Sequence, residues 1–165
     1  MQPRLEILEE RKLVGLKTMM SLFTMYRTSE LWQSFMPRRK EIQHIISPDF
    51  YSLEVYPQNY FDIFDLSAIF EKWAAIEVSA FDQLPEGMEP EVVPAGRFAV
   101  FPYKGLSSDA AKTYQYIFGT WLPNSIFVLD DRSHLAVMGQ GYTNTDPASE
   151  EDIWPPVKPS DKKDR

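Results

Sequence analysis

The chain has 165 residues and a mass of 19.2 kDa, and it is 44% hydrophobic and 25% charged, which suits one soluble globular domain. It contains no cysteine, which excludes disulfides, thiol catalysis and the common structural zinc sites and fits a reducing cytoplasm. The net charge of −7 argues against direct nucleic-acid binding, and no apolar run approaches the ~20 residues that a membrane span needs.

The first half of the chain is predicted to fold as strand, helix, strand, strand. The helix is indicated by apolar residues at helical spacing, and Pro37 should kink or break it because proline lacks the backbone donor. The predicted elements are a strand over residues 4–21, a helix over 30–46 capped by Thr28 or Ser29, and strands over 51–56 and 72–81.

The second half repeats this order. An apolar stripe predicts its helix, which Ser107 or Ser108 should cap and Pro123 should end. The predicted elements are a strand over 96–104, to which residues 88–94 lead, a helix to about 120, strands over 126–129 and 134–139, and an irregular strand around 153–157.

This repeated order predicts an α+β fold made of a tandem β-α-β-β pseudo-repeat. We place the pseudo-repeats at about 4–84 and 88–158, followed by a charged tail over 159–165. Their strands should form one antiparallel sheet with two helices on one face and a groove between the halves. Such a groove is a natural ligand site.

Aromatic residues make up 14% of the chain, and those with a polar group suit an apolar pocket with a few orienting contacts. Trp73 and Trp121, one from each half, are the leading candidates for pocket walls. Phe101 and Tyr103 share one face of a predicted strand, and Tyr51 has a similar but weaker claim. Packing in the core is the alternative for each of them.

Several runs in a fixed order resemble the GyrI-like small-molecule-binding domain, which is also called the AraC-type or bacterial effector-binding domain. The resemblance extends from about Leu13 to Lys158. The runs that carry it are FEKWAAIEV at 70–78, PEGM at 85–88, YKG at 103–105, TYQYIFGTWLPNS at 113–125 and SEEDIW at 149–154.

The resemblance implies one GyrI-like domain over 1–158, with the tandem fold described above and a groove that binds a hydrophobic, often cationic molecule. In transcription regulators this domain is fused to a helix-turn-helix. Only about a dozen residues precede Leu13, where the resemblance begins, so we expect a stand-alone cytoplasmic member that binds a small hydrophobic or aromatic ligand as a sensor, sequestering protein or transcription effector.

One position departs from the family pattern. Members that bind cations or act as hydrolases carry a glutamate in the strand after the arginine-containing turn, and Ala136 stands there in this chain. An alanine cannot neutralise a cation or act as a base, unless Glu54 or Glu77 reaches the groove from another strand. Tyr142 stands where the family has a pocket tyrosine, with an ordinary loop tyrosine as the alternative.

Two other classes of function stay open. The first is a hydrolase of strained or electrophilic small molecules, with Glu54 or Glu77 as base and a tyrosine as acid. The second is a protein-binding inhibitor of a DNA enzyme. His44 and His134 are isolated and predict no metal site, we assign no catalytic residue, and we expect no cofactor. Exposed edge strands could also pair two copies into a homodimer.

Overall fold

The computed structural model describes residues 2–63, 65–105, 111–138 and 150–161. Two stretches of helix and ten strands make up this part of the chain. The strands are β1 (Arg4–Leu8), β2 (Arg11–Met20), β3 (Ile45–Val55), β4 (Phe70–Val78), β5 (Glu89–Val93), β6 (Gly96–Lys104), β7 (Phe127–Leu129), β8 (His134–Met138), β9 (Glu150–Trp154) and β10 (Val157–Pro159). Helix α1 spans Arg27–Phe35, and helix α2 spans Ala111–Tyr116.

Eight strands form one antiparallel sheet in the order β1-β6-β9-β8-β3-β4-β2-β5, and β7 pairs with β10 separately. The α+β class with one antiparallel sheet is therefore confirmed. From either end, the order begins with the first strand of one half and continues with three strands of the other half, so that β3 and β8 are adjacent at the centre. Each half thus contributes one of the two central strands.

The two helices lie on the same face of the sheet. Leu31 and Phe35 of α1 pack on Val14 and Ala74, while Ile117, just after α2, packs with Ile153 of β9. Both helical segments have apolar residues at helical spacing, so each buries one stripe against the strands. Strands β3 and β8 lie between the strands on which the two helical stretches pack.

Helix α1 is shorter than predicted, because Pro37 breaks the helical pattern. The α-helix ends at Phe35 and continues as a 3₁₀ helix over Met36–Glu41, with the proline in its first turn. The chain then becomes extended at Ile42 and enters β3 at Ile45. The expected helix end at residue 46 was wrong, since Ile45 pairs with Val78 of β4.

The start of α1 also differs from the prediction. The helix begins at Arg27, and the side-chain cap lies upstream, where Ser21 and Thr24 form a capping box around a short 3₁₀ helix. The predicted strand over 4–21 is two strands, β1 and β2, which pair with different neighbours. The predicted cap at Ser107 or Ser108 lies outside the described residues.

The second helical stretch continues past α2 as a π-helical turn over Ile117–Trp121 and a short α-helical turn over Leu122–Asn124. Phe118 and Trp121 lie in this continuation. Among the described residues, no helix is long and apolar enough to cross a membrane.

Candidate ligand-binding site

A row of paired residues crosses the centre of the sheet on the face that carries the helices. Ala74 of β4 lies opposite Ser52 of β3, Ser52 lies opposite Ala136 of β8, and Ala136 lies opposite Ile153 of β9. Residues directly opposite one another on neighbouring strands point to the same face. Since Ala74 packs with α1 and Ile153 packs with Ile117, this row joins the two helical stretches.

The neighbouring row on the same face holds the polar groups. Lys72 of β4, Glu54 of β3 and His134 of β8 are aligned across three adjacent strands. The Lys72 Nζ donates to Glu54 Oε1 at 2.6 Å, and each side chain is only 12% exposed. A buried carboxylate and ammonium at this distance form one internally compensated pair.

An aromatic cluster lies beside these polar groups and bridges the sheet, the β3–β4 loop and α2. Its members are Tyr56, Tyr60, Phe61, Phe70, Tyr114, Phe118 and His134. The Tyr56 ring is 4.9 Å from the His134 ring, 4.6 Å from that of Tyr60 and 4.8 Å from that of Phe61, between ring centroids. Such separations and tilted arrangements are the favourable ones for aromatic pairs.

Phe61 brings the β3–β4 loop into contact with the second half of the chain. Its ring stacks on His134 at 5.6 Å and on Phe118 at 6.1 Å, although its side chain is about half exposed. The loop is built from consecutive turns, and Asn59 has the positive φ of 68° that one of them requires. The cluster therefore faces solvent at Phe61 and is closed by strands beneath.

Burial controls the charge state of His134. The ring is 8% exposed, and this burial lowers its pKa from 6.5 to about 4, so the imidazole is neutral at pH 7. Burial likewise raises the pKa of Tyr56 well above 10, with the nearby Glu54 carboxylate as a further cause. Beside the Lys72–Glu54 pair, the site thus presents aromatic faces, the uncharged imidazole of His134 and the uncharged hydroxyl of Tyr56.

Arg132 lies near His134 but is occupied by its own partners. Its Nε donates to Asp130 Oδ2 at 2.6 Å, its guanidinium stacks on Phe98 at 4.7 Å, and Nη2 donates to the Arg97 carbonyl. Gly96 leaves the room that this guanidinium needs, because a Cβ there would come within 2.5 Å of it. Arg132 therefore ties the β7–β8 turn to β6.

The structure distributes the predicted site residues over several places. Glu54 lies in the row of polar groups, between Lys72 and His134. Phe101 and Trp121 contact each other at 5.2 Å in the packing under the second helical stretch, and Tyr103 packs against the same group. Trp121 also lines a hollow of about 470 Å³ beside the N-terminal segment. Tyr142 lies outside the described residues.

Tyr51 and Trp73 lie on the opposite face of the sheet, in a core that includes Leu13, Leu53 and Phe98. This placement follows from strand alternation, because Tyr51 precedes Ser52 and Trp73 precedes Ala74. The Trp73 ring is almost fully buried. These two residues are therefore not brought together with Glu54.

The opposite face has a polar pocket of about 430 Å³. Within it, Tyr51 donates to Glu77 Oε1 at 3.3 Å, and Arg11 Nη1 donates to Glu77 Oε2 at 3.0 Å. Burial, followed by the Glu77 charge, raises the pKa of Tyr51 to about 12. Glu77 thus points away from the groove between the helices.

Sequence reasoning missed the residues that make up the aromatic cluster and the partner of Glu54. Tyr56 could have been found, since it lies two residues after Glu54 and shares its face. Lys72 could be identified only from the register of β3 with β4. Among the described residues, no group of three metal-liganding side chains is present.

The class of protein follows from this fold and from the family comparison. This α+β chain, with one eight-stranded antiparallel sheet and two helical stretches on one face, matches the model of the GyrI-like small molecule binding domain over residues 1–158. The chain belongs to this family. A search of curated proteins finds no match.

Solved structures show the same fold at low sequence identity. SAV2435, solved bound to tetraphenylphosphonium, is 14% identical with a TM-score of 0.71, and the match covers 96% of this chain and 94% of that one. The EcmrR C-terminal domain is 16% identical with a TM-score of 0.71 and coverages of 96% and 98%. A hydrolase encoded by lin2189 from Listeria innocua is 11% identical with a TM-score of 0.58 and coverages of 95% and 92%.

Proposed function

We propose that this domain binds a small planar hydrophobic molecule, with an aromatic portion, against the aromatic cluster between the two helical stretches. The observation that carries the proposal is the set of rings around the buried, neutral His134. Ligand sites combine apolar and aromatic walls with a few oriented polar groups. Membership of a small-molecule-binding family and a neighbour bound to an aromatic cation support the same proposal.

The first experiment is a binding screen with planar hydrophobic compounds, followed by ring deletions. Phe118→Ala should weaken the binding of any hit about two- to twelvefold, because one aromatic contact contributes about 0.5–1.5 kcal/mol. Phe23→Ala is the matched control, since Phe23 is 67% exposed and belongs to no part of the cluster. Equal affinity in the wild type and Phe118→Ala would place the ligand elsewhere.

The biological role of such binding is a sensor, a sequestering protein or an effector of transcription in the cytoplasm. The match to EcmrR, whose C-terminal domain has the same fold and which was also solved in a complex with DNA, supports the transcription role. A ligand-dependent change in the affinity for a partner protein would support the effector role.

Light scattering would test for a homodimer. Two copies could pair through β1, the strand at one edge of the sheet, where Ile7 is largely exposed.

A second proposal is a hydrolase of strained or electrophilic small molecules, with Glu54 as base and Tyr56 as acid. It is favoured by the position of Glu54 opposite His134 and near Tyr56, and by the fold shared with a hydrolase from Listeria innocua. The Lys72 ammonium already occupies the Glu54 carboxylate, which weakens its action as a base. Hydrolysis of an aryl epoxide by the wild type, with its loss in Glu54→Gln, would establish this activity.

A further inference from the structure

Glu54 is placed where a carboxylate would meet a bound ligand, yet its charge is compensated from within the sheet. The carboxylate lies between Lys72 and His134 in the row of polar groups, and it acts electrostatically on both His134 and Tyr56 of the aromatic cluster. The Lys72 ammonium contacts it at 2.6 Å, and both side chains are largely buried. The pair therefore presents no net charge to the cluster.

Two further charged residues near the cluster, Arg132 and Asp65, also have partners among the described residues. Arg132, which acts electrostatically on His134, is paired with Asp130 at 2.6 Å. Asp65 in the β3–β4 loop is exposed, and its carboxylate accepts from the Ser67 hydroxyl and backbone N–H. A cation entering the cluster would meet a Glu54 carboxylate whose charge the Lys72 ammonium already compensates, and no free buried carboxylate among the described residues would offset the desolvation of the cation.

We propose that Lys72 is a built-in counter-ion that makes the site select neutral aromatic ligands over charged ones of the same shape. This inference rests on the proposed function and deepens it, because it assigns the charge class of the ligand. Removal of the ammonium should leave the Glu54 carboxylate to attract a cation. Removal of the carboxylate should leave the Lys72 ammonium to attract an anion.

Three bicyclic probes of nearly equal shape test the inference: methylnaphthalene, the cation N-methylquinolinium and the anion naphthoate. Equilibrium dialysis at pH 7 and constant salt gives the affinity of each probe for the wild type, Lys72→Met and Glu54→Gln. Lys17→Met is the matched control, since Lys17 also lies in the sheet and pairs with carboxylates, but on the opposite face beside Trp73.

The wild type should bind the neutral probe at least about tenfold more tightly than either charged probe. Lys72→Met should gain about tenfold for the cation relative to the neutral probe, and Lys17→Met should match the wild type. If Lys72→Met does not fold, Glu54→Gln tests the same point, because its affinity should rise for the anion alone. The wild-type ranking tests it without any substitution.

A wild type that binds the cation as tightly as the neutral probe would overturn the inference. So would folded variants whose affinities for the charged probes stay unchanged. The proposed function survives both results if Phe118→Ala still weakens binding of the neutral probe. If neither the wild type nor any variant binds any of the three probes, the inference and binding of planar hydrophobic molecules at this cluster are both wrong.

Discussion

His134 shows how one residue can couple the site to the stability of the fold. His134 lies opposite Glu54 in the register of β8 with β3. Its imidazole contacts three other rings, and burial keeps it neutral. Protonation would place a cation among aromatic side chains in a region of low dielectric. The residue therefore favours the folded state only while it is uncharged.

The pKa of His134 predicts a loss of stability in mild acid. Because folding lowers this pKa from 6.5 to about 4, the unfolded chain binds the proton first, and stability falls as the pH drops from about 6.5 towards 4. The loss from this residue should approach about 3 kcal/mol by pH 4. Urea unfolding at a series of pH values would measure it.

The comparison variant for this prediction is His134→Gln, which has no ionisable group at the position. Its stability should change less steeply between pH 6.5 and 4 than that of the wild type. Equal slopes in the two proteins would assign the acid sensitivity to other groups and contradict the burial of a neutral imidazole.

At the scale of the element, the close approach of β2 to β4 depends on a missing side chain. A Cβ built on Gly15 would lie 2.0 Å from the Ala74 carbonyl oxygen and 2.8 Å from the Ala75 Cα, both of them backbone atoms. Ala74 belongs to the row beneath the site, so a shift of β4 would also displace Lys72. Gly15 thus supports the site through the register and spacing of two strands.

Gly15→Ala should destabilise the protein by about 1–3 kcal/mol, the range typical of overpacking in a well-packed interior. Gly119→Ala is the control, because no atom lies within 4 Å of the added Cβ and alanine is the better helix former. Thermal unfolding of both variants would measure the difference. A melting temperature for Gly15→Ala equal to that of the wild type would contradict the close strand contact.

The elements that the sequence predicts best are those in which local pattern and tertiary environment agree. Strand β6 has the predicted bounds of Gly96–Lys104, because apolar alternation and a flanking glycine both mark a strand. Ile45 was misassigned since it continues the helical spacing, whereas pairing with Val78 places it in β3. Long-range pairing outweighed a local periodicity there.

The candidate site was only partly predictable for the same reason. Glu54 was named on the basis of its strand, but Tyr51 and Trp73 were grouped with it although they lie on the opposite face. Which face carries the helices depends on contacts between distant segments, such as those of Phe35 with Ala74. Likewise, only the fold places Phe61 of the β3–β4 loop on His134.

At the scale of the whole molecule, the two halves exchange their first strands. Strand β1 pairs with β6 of the second half, and β5 pairs with β2 of the first half. Each half therefore has its outer edge covered by a strand from the other, in addition to the central β3–β8 pairing. Three strand pairs therefore connect the halves: β1 with β6, β2 with β5, and β3 with β8.

This exchange predicts that neither half folds alone. Fragments 1–84 and 88–165 should each lack a cooperative thermal transition when expressed separately, because β2 or β6 would become an open edge. Mixed after unfolding, they should refold into a complex that circular dichroism and size-exclusion chromatography detect. Cooperative unfolding of either fragment on its own would show that the halves are independent units.

The exchange of β1 and β5 also bears on how a duplicated chain of this kind could arise. A half-length precursor with the same strand order would have carried a first strand with no place in its own sheet and an edge that only a second copy could complete. Its earliest folded form would then have been a strand-swapped dimer of identical subunits. Gene fusion would have joined the two subunits and let the two copies diverge, so that β3 came to carry Ser52 and Glu54 where β8 places Ala136 and His134 opposite them.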